Sequence, residues 1–197
     1  MKKLLMLTIC LLFAVPSFAI TGISLGLKGG LVTDYNQPGF TIPDQETDNM
    51  TLAGLQVRLS SLPMVDVIVT GEYAWRNDSY SILNEDFEVK RHDFLFSASA
   101  IYPVKLTPVS PYLGAGLATH SLGYDFVVPE SWSLEDYDIE VPGNETKLGY
   151  HLVGGLDFKL PVFPVSANAE FRFNWINTPQ EVTKYNSITL GISYSLP

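Results

Sequence analysis

From about residue 20 onward, apolar and small-or-polar residues alternate in eight runs of roughly ten residues, the period of a strand with one greasy face. ITGISLGLKGGLVTDY sets Ile23, Leu25, Leu27 and Leu31 against Ser24, Gly26, Lys28 and Gly30. MTLAGLQVRLSSL sets Leu55, Val57 and Leu59 against Gly54, Gln56, Arg58 and Ser60. VDVIVTGEYAWR places Val65, Val67, Val69, Tyr73 and Trp75 opposite Asp66, Thr70 and Glu72, with Ile68 interrupting the polar side. FEVKRHDFLFSASAIY has Phe94, Phe96, Ala98, Ala100 and Tyr102 on one face, and Arg91, Asp93, Ser97 and Ser99 on the other, where Leu95 is the exception. YLGAGLATHSLGY, TKLGYHLVGGLDFKL, VSANAEFRFNWI and YNSITLGISYSL complete the set. Short proline-bearing links alternate with long polar segments at 34–50, 77–88, 125–146 and 176–184. The prolines fall between strands, where a missing N–H costs no ladder bond.

The start of the chain has a different grammar. Lys2 and Lys3, an apolar stretch from Leu4 to Val15, and Ser17-Phe18-Ala19 read as a secretory leader over 1–19, with 20–197 as one barrel domain. The apolar stretch is too short to span a bilayer and ends at Pro16. The single cysteine, Cys10, leaves with that leader, so disulfide and thiol chemistry are excluded. Removing Lys2 and Lys3 leaves 10 bases against 21 acids, a charge near −11, which makes nucleic acid a poor partner. No cofactor is indicated.

Alternation alone does not say which face meets water, since a soluble lipocalin-like barrel would put the apolar face inside. Three features favour lipid outside. Gly26, Gly30, Gly54, Gly114, Gly116, Gly155 and Gly191 crowd the polar face, as a packed interior with charged neighbours requires. Strand charges nearly balance, Lys28, Arg58, Arg91, Lys159 and Arg172 against Glu72, Asp93, Asp157 and Glu170, so burial can pair them. Aromatic residues gather near both strand ends: Tyr35, Tyr73, Trp75, Tyr124, Trp175 and Tyr185 at one, and Tyr102, Tyr112, Phe163 and Tyr194 at the other. Two such rings fit the girdles of a membrane barrel. The expected fold is an all-β, eight-stranded antiparallel up-and-down transmembrane barrel.

The segments PYLGAGLA, GYHLVGGLDFKL, SANAEFRF and SITLGISYSL carry a resemblance to the small OmpA/OmpX-type eight-stranded outer-membrane barrels. That resemblance implies export to the bacterial outer membrane, periplasmic termini and outward-facing long segments. It also implies a monomer with outer-membrane lipid and lipopolysaccharide as surroundings, and a structural or surface-interaction role. Thr189, Gly191, Tyr194 and Leu196 are similar to the terminal signal read by barrel-assembly machinery, although the chain ends Leu196-Pro197 where members commonly end on an aromatic residue.

The balanced strand charges are the candidate interior network. Asp157, Lys159, Glu170 and Arg172 point inward, and symmetric closure of the second long segment brings Glu72 opposite Arg91. Such pairs form either a gate for small solutes or a static polar plug, since eight strands enclose a space that side chains just fill. The third long segment holds seven acids and no base. Its alternating Asp136, Asp138 and Glu140 are the only candidates for a divalent cation or a bridge to lipopolysaccharide phosphates, against a solvated acidic loop. Trp132 in the same segment could anchor a partner. A lipid A deacylase reading fails because Leu122 takes the serine position and His120 and Ser121 project to opposite faces. A narrow OmpW-like conduit for small hydrophobic molecules needs an apolar lumen, and only Ile68, Leu95 and Val153 are expected to interrupt the polar lining.

Overall fold

All eight alternating runs are strands in the computed structural model, which describes residues 22–36, 49–60, 62, 64–82, 85–104, 106, 108–127, 144–160, 163–178 and 182–196. In chain order they are β1 (Ile23–Asn36), β2 (Met50–Leu59), β3 (Asp66–Ile82), β4 (Glu85–Pro103), β5 (Val109–Val127), β6 (Glu145–Lys159), β7 (Val165–Asn177) and β8 (Val182–Ser195). Each pairs antiparallel with its sequence neighbours, and β8 returns to β1, so the sheet closes into a barrel. Near the closure, the Leu196 N–H also donates to the Ile23 carbonyl at 2.8 Å. The expected leader and its expected cleavage site lie outside the described residues, as does Trp132.

The greasy face is outside. Leu190 is 67 % exposed and Ile192 64 %, and Phe94 and Phe171 also face outward, whereas Arg172 is 2 % and Glu170 3 % exposed. A band of exposed Leu, Ile, Val and Phe around a closed cylinder has no reason to face water; a hydrocarbon surrounding satisfies it.

The aromatic expectation needs correction at four positions. Tyr35, Tyr124 and Tyr185 at the long-segment end, and Tyr112 at the other, turn inward and are buried. Tyr112, Tyr124 and Tyr185 simply share parity with inward Gly114, Leu122 and Thr189. Tyr35 is moved by a bulge: β1 shifts register against β8 between Thr33 and Asn36, with Asp34 at φ 55°. One extra residue flips every side chain beyond it to the other face. Of the aromatics expected at the strand ends, Tyr73, Trp75 and Trp175 at one level and Tyr102, Phe163 and Tyr194 at the other lie on the outside, and Tyr150 joins the first group.

Asp34 holds this left-handed conformation while its Oδ2 accepts from the Asn186 amide at 2.7 Å. Because Cβ branching makes that backbone region costly, Asp34→Val is expected to lower unfolding free energy by about 1–2 kcal/mol in urea titration. Asp34→Gly, which keeps the backbone at ease, should lose less.

The second long segment is also shorter than its sequence suggests. β3 and β4 pair continuously from Asp66–Ile101 to Ile82–Glu85. Glu72 therefore stands opposite Leu95, and Arg91 opposite Arg76, so the expected Glu72–Arg91 pairing does not form in the register. The stretch reads as a loop because polar Asn77, Ser79 and Ser81 of β3 and Asp86 and Glu88 of β4 carry the parity that is greasy lower down.

Candidate functional site

The interior is the candidate site, and strand register builds it. Lys28 on β1 faces Gly54 on β2, and Gly54 faces Glu72 on β3. On its other side Lys28 faces Gly191. With glycine on both flanks, the lysine side chain crosses toward acids one strand further away. A Cβ at Gly54 would come within 2.8 Å of Glu72 Cγ and 2.6 Å of the Gly71 carbonyl oxygen. The many inward glycines thus make space for charged neighbours.

At mid-barrel, Lys28 Nζ lies 2.8 Å from Glu170 Oε1 and 3.1 Å from Glu72 Oε1. Arg172 Nη1 donates to Glu72 Oε1 at 2.9 Å, and its Nε lies 2.6 Å from Glu170 Oε1. The Tyr112 hydroxyl donates to Glu170 Oε2 at 3.0 Å. Two acids and two bases, all nearly inaccessible, make a neutral quartet whose members compensate one another's desolvation.

Two further groups flank it. Toward the short-link end, Arg58 binds Asp66 (Nη2 to Oδ2, 2.8 Å) and Asp157, and its guanidinium lies 5.8 Å from the Tyr112 ring centroid. Gln56 Nε2 donates there to Ser193 Oγ at 2.7 Å and to Asn168 Oδ1 at 3.2 Å. Lys159 shares this end but is exposed at the barrel mouth rather than buried. Toward the other end, Asp93 contacts His120 Nδ1 at 2.7 Å; nearer mid-barrel, Ser99, which faces Ile68, brings its Oγ to 2.7 Å from His151 Nε2. Arg91 is buried above them, beside Tyr35, Met50 and Asp93.

The lining is less polar than expected. Besides Ile68, Leu95 and Val153, a buried apolar cluster of Val32, Tyr35, Met50, Leu52, Ala74, Leu122, Ile176 and Tyr185 fills the long-segment end. A smaller one, Ile68, Ile101, Tyr112 and Val153, lies toward the short links. Alternation misses the first cluster because both faces of the strands are apolar at that level, as at Leu31–Val32. Space inside is scarce. A void among Val32, Leu52, Glu72 and Tyr185 measures about 10 Å³, and one among Ser24, Arg58, Asp157 and Ser193 about 30 Å³. Either holds a water molecule or so.

The sequence reading overlooked Tyr112, His120, His151, Gln56 and Asn168 as network members. Parity was the available signal, since each sits an even number of residues from an inward glycine or acid on its own strand. Of the terminal-signal residues, Thr189 and Gly191 face inward, Tyr194 faces outward, and Leu196 is exposed just beyond β8. Asp136, Asp138 and Glu140 lie outside the described residues.

The family described as outer membrane protein beta-barrel domain matches residues 5–195. No curated protein matches the chain. Among solved structures, neisserial surface protein A (NspA) is similar at a TM-score of 0.59 with 16 % identity, over 89 % of this chain and 98 % of that one. OprG from Pseudomonas aeruginosa gives a TM-score of 0.59 with 14 % identity, over 89 % and 96 %. Ail, the attachment invasion locus protein of Yersinia pestis, in complex with the heparin analogue sucrose octasulfate, gives 0.57 with 16 % identity, over 89 % and 99 %. At these identities the likeness is one of fold.

Proposed function

From the premise that the chain belongs to the outer membrane protein beta-barrel domain family, and so to the bacterial outer membrane, we propose that it is a closed, non-conducting and non-catalytic barrel. Its work is structural and interactive, done at the cell surface by acidic outward segments. The observation that carries this reading is the sealed charge quartet of Lys28, Glu72, Glu170 and Arg172 between apolar clusters. A solute path would have to break buried ion pairs and displace packed side chains together.

The chain reaches this place as an exported monomer, its leader removed after Ala19, and the assembly machinery reads Thr189, Gly191, Tyr194 and Leu196. Outer-membrane lipid and lipopolysaccharide surround it. The acidic outward segments, with a mature charge near −11, suit a basic or cation-bridged partner. A sulfated polyanion such as the ligand in the Ail complex is a poor match for that charge. Against catalysis stand two burials: Ser99 and His151 form a serine–histidine pair only 3 % and 2 % exposed, and His120 is sealed while Ser121 faces out.

The second reading, a conduit or binder for small hydrophobic molecules, draws on the apolar cluster around Tyr35 and Tyr185. The void of about 10 Å³ beside that cluster counts against it. Planar-bilayer recording separates the two. The closed barrel is expected to give no steady conductance above the bare membrane, and a stable single-channel level would favour the conduit. Exchanging residues 125–145 for a neutral linker should abolish surface binding while leaving the heat-modifiable gel shift unchanged.

A further inference from the structure

The outward face of β3, β4 and β5 carries a cleft that the closed-barrel reading does not use. β1 and β2 stop pairing at Val32–Met50, and β2 and β3 at Thr51–Trp75, whereas β3 and β4 continue to Ile82–Glu85. The cleft lies at the foot of that standing hairpin. It measures about 370 Å³ and is lined by Tyr73, Trp75, Asn77, Lys90, Arg91, His92 and Asp125. Register gathers them: Trp75 faces His92, Asn77 faces Lys90, and Lys90 faces Asp125. Phe94 and Phe96, the next outward residues of β4, are 55 % and 53 % exposed, so hydrocarbon ends where the cleft begins.

The chemistry of the lining selects the occupant. Tyr73 and Trp75 stack at 5.7 Å between centroids, with 19° between planes, and offer an apolar platform for the C–H face of a sugar ring. An amide, a carboxylate, an ammonium and an imidazole surround that platform, a donor–acceptor mixture suited to hydroxyls and an acidic substituent. Their mutual ties are loose. Lys90 Nζ is 3.5 Å from Glu88 with both side chains well exposed, and His92 Nδ1 is 4.0 Å from Asp125, beyond hydrogen-bond reach. An ordinary aromatic girdle needs none of these polar groups. The Tyr150–Trp175 stack at 5.2 Å, elsewhere on the barrel, is the comparison: Phe173 is its aromatic neighbour and Lys184 faces Trp175, and no imidazole or carboxylate faces Trp175 across the ladder as His92 faces Trp75.

We propose that this cleft binds the sugar headgroup of an outer-leaflet glycolipid, whose acyl chains run down past Phe94 and Phe96. The proposal rests on the outer-membrane placement with the β3–β4 hairpin facing outward. The test uses the full mature chain refolded into phosphatidylcholine bilayer discs holding equal trace amounts of diphosphorylated lipid A and phosphatidylglycerol. Retained lipid is read by native mass spectrometry. Lipid A is expected to be retained at least about fivefold over phosphatidylglycerol, and Trp75→Leu and Lys90→Gln should each weaken that preference about fivefold, while Trp175→Leu leaves it unchanged.

Equal loss in Trp75→Leu and Trp175→Leu would overturn the cleft, since any girdle tryptophan would then serve. Equal retention of the two lipids, with the barrel inserted and heat-modifiable, would overturn it as well. Competition by the free diphosphorylated disaccharide as strong as by lipid A would make this a soluble-glycan site and overturn the lipid assignment. A chain that never enters the discs would overturn the membrane placement itself, which separates that failure from the others.

Discussion

Replacing Arg172 with methionine is expected to lower the unfolding free energy of the lipid-embedded barrel by about 3–5 kcal/mol, the cost of stranding a buried charge. Arg172 lies between Glu72 and Glu170 and is 2 % exposed. Without it, Lys28 alone faces two carboxylates at 3.1 and 2.8 Å, and one negative charge is left without compensation in a dry interior. Adding Glu170→Gln removes the surplus acid and leaves Lys28 with Glu72. The double variant should therefore unfold at higher urea than Arg172→Met alone, although it lacks more native contacts. If the double variant is the weaker of the two, the loss comes from packing and hydrogen bonds, and the charge argument fails.

The second large effect lies on the opposite face. Leu190→Arg is expected to cost about 2–4 kcal/mol, the penalty for a cation on the lipid face well inside the membrane. Leu190 is 67 % exposed, two outward positions along β8 from the girdle residue Tyr194, and faces Gly29 and Ala169 across its neighbours. For a soluble barrel with this face in water the same substitution would be nearly neutral, within about 0.5 kcal/mol. Leu190→Gln should fall between the two, because it brings a polar group and no charge. Equilibrium urea unfolding in vesicles of fixed composition reads all three proteins on one scale.

Much of the architecture was legible because one face of every strand is greasy and the period is two. Leu25, Leu27, Phe94, Phe96, Phe171 and Phe173 could be placed from parity alone, and so could the inward charges. Three features were not legible, each for a physical reason. The bulge at Asp34 depends on a backbone angle that several residues tolerate, and it reversed the face of Tyr35. In the upper parts of β3 and β4 the parity that is greasy lower down turns polar, at Asn77, Ser79, Ser81, Asp86 and Glu88, so the stretch reads as a loop. At the level of Val32, Leu52 and Leu122 the interior itself is apolar, so the contrast between faces vanishes there as well.

The quartet was half legible. The strand segments carry nearly balanced charges within an acidic chain, and parity puts them on one face, but which acid meets which base is decided by register between strands far apart in sequence. Glu72 and Arg172 are 100 residues apart and meet across the barrel. Arg91, expected opposite Glu72, instead faces Arg76 nearer the outward end, because β3 and β4 pair in a register that sets Ile82 opposite Glu85. Tyr112 is a different case. Its parity with Gly114 was visible, and a preference for girdles concealed it.

Lipid on the greasy face and a sealed charged interior can be tested directly by oxygen and nickel-chelate collision with nitroxides. The labels go singly at Ala167, Ala169, Ile188 and Ile192 on the outward face, and at Ser187, Thr189 and Ser193 on the inward face, in the barrel refolded into vesicles. Protein prepared from residue 20 onward lacks Cys10, the chain's only cysteine, so no competing thiol is present. The account predicts high oxygen and low nickel collision at all four outward positions, with both low at Ser187 and Thr189. High nickel collision at Ile188 and Ile192, together with oxygen reaching Ser187 and Thr189, would contradict it.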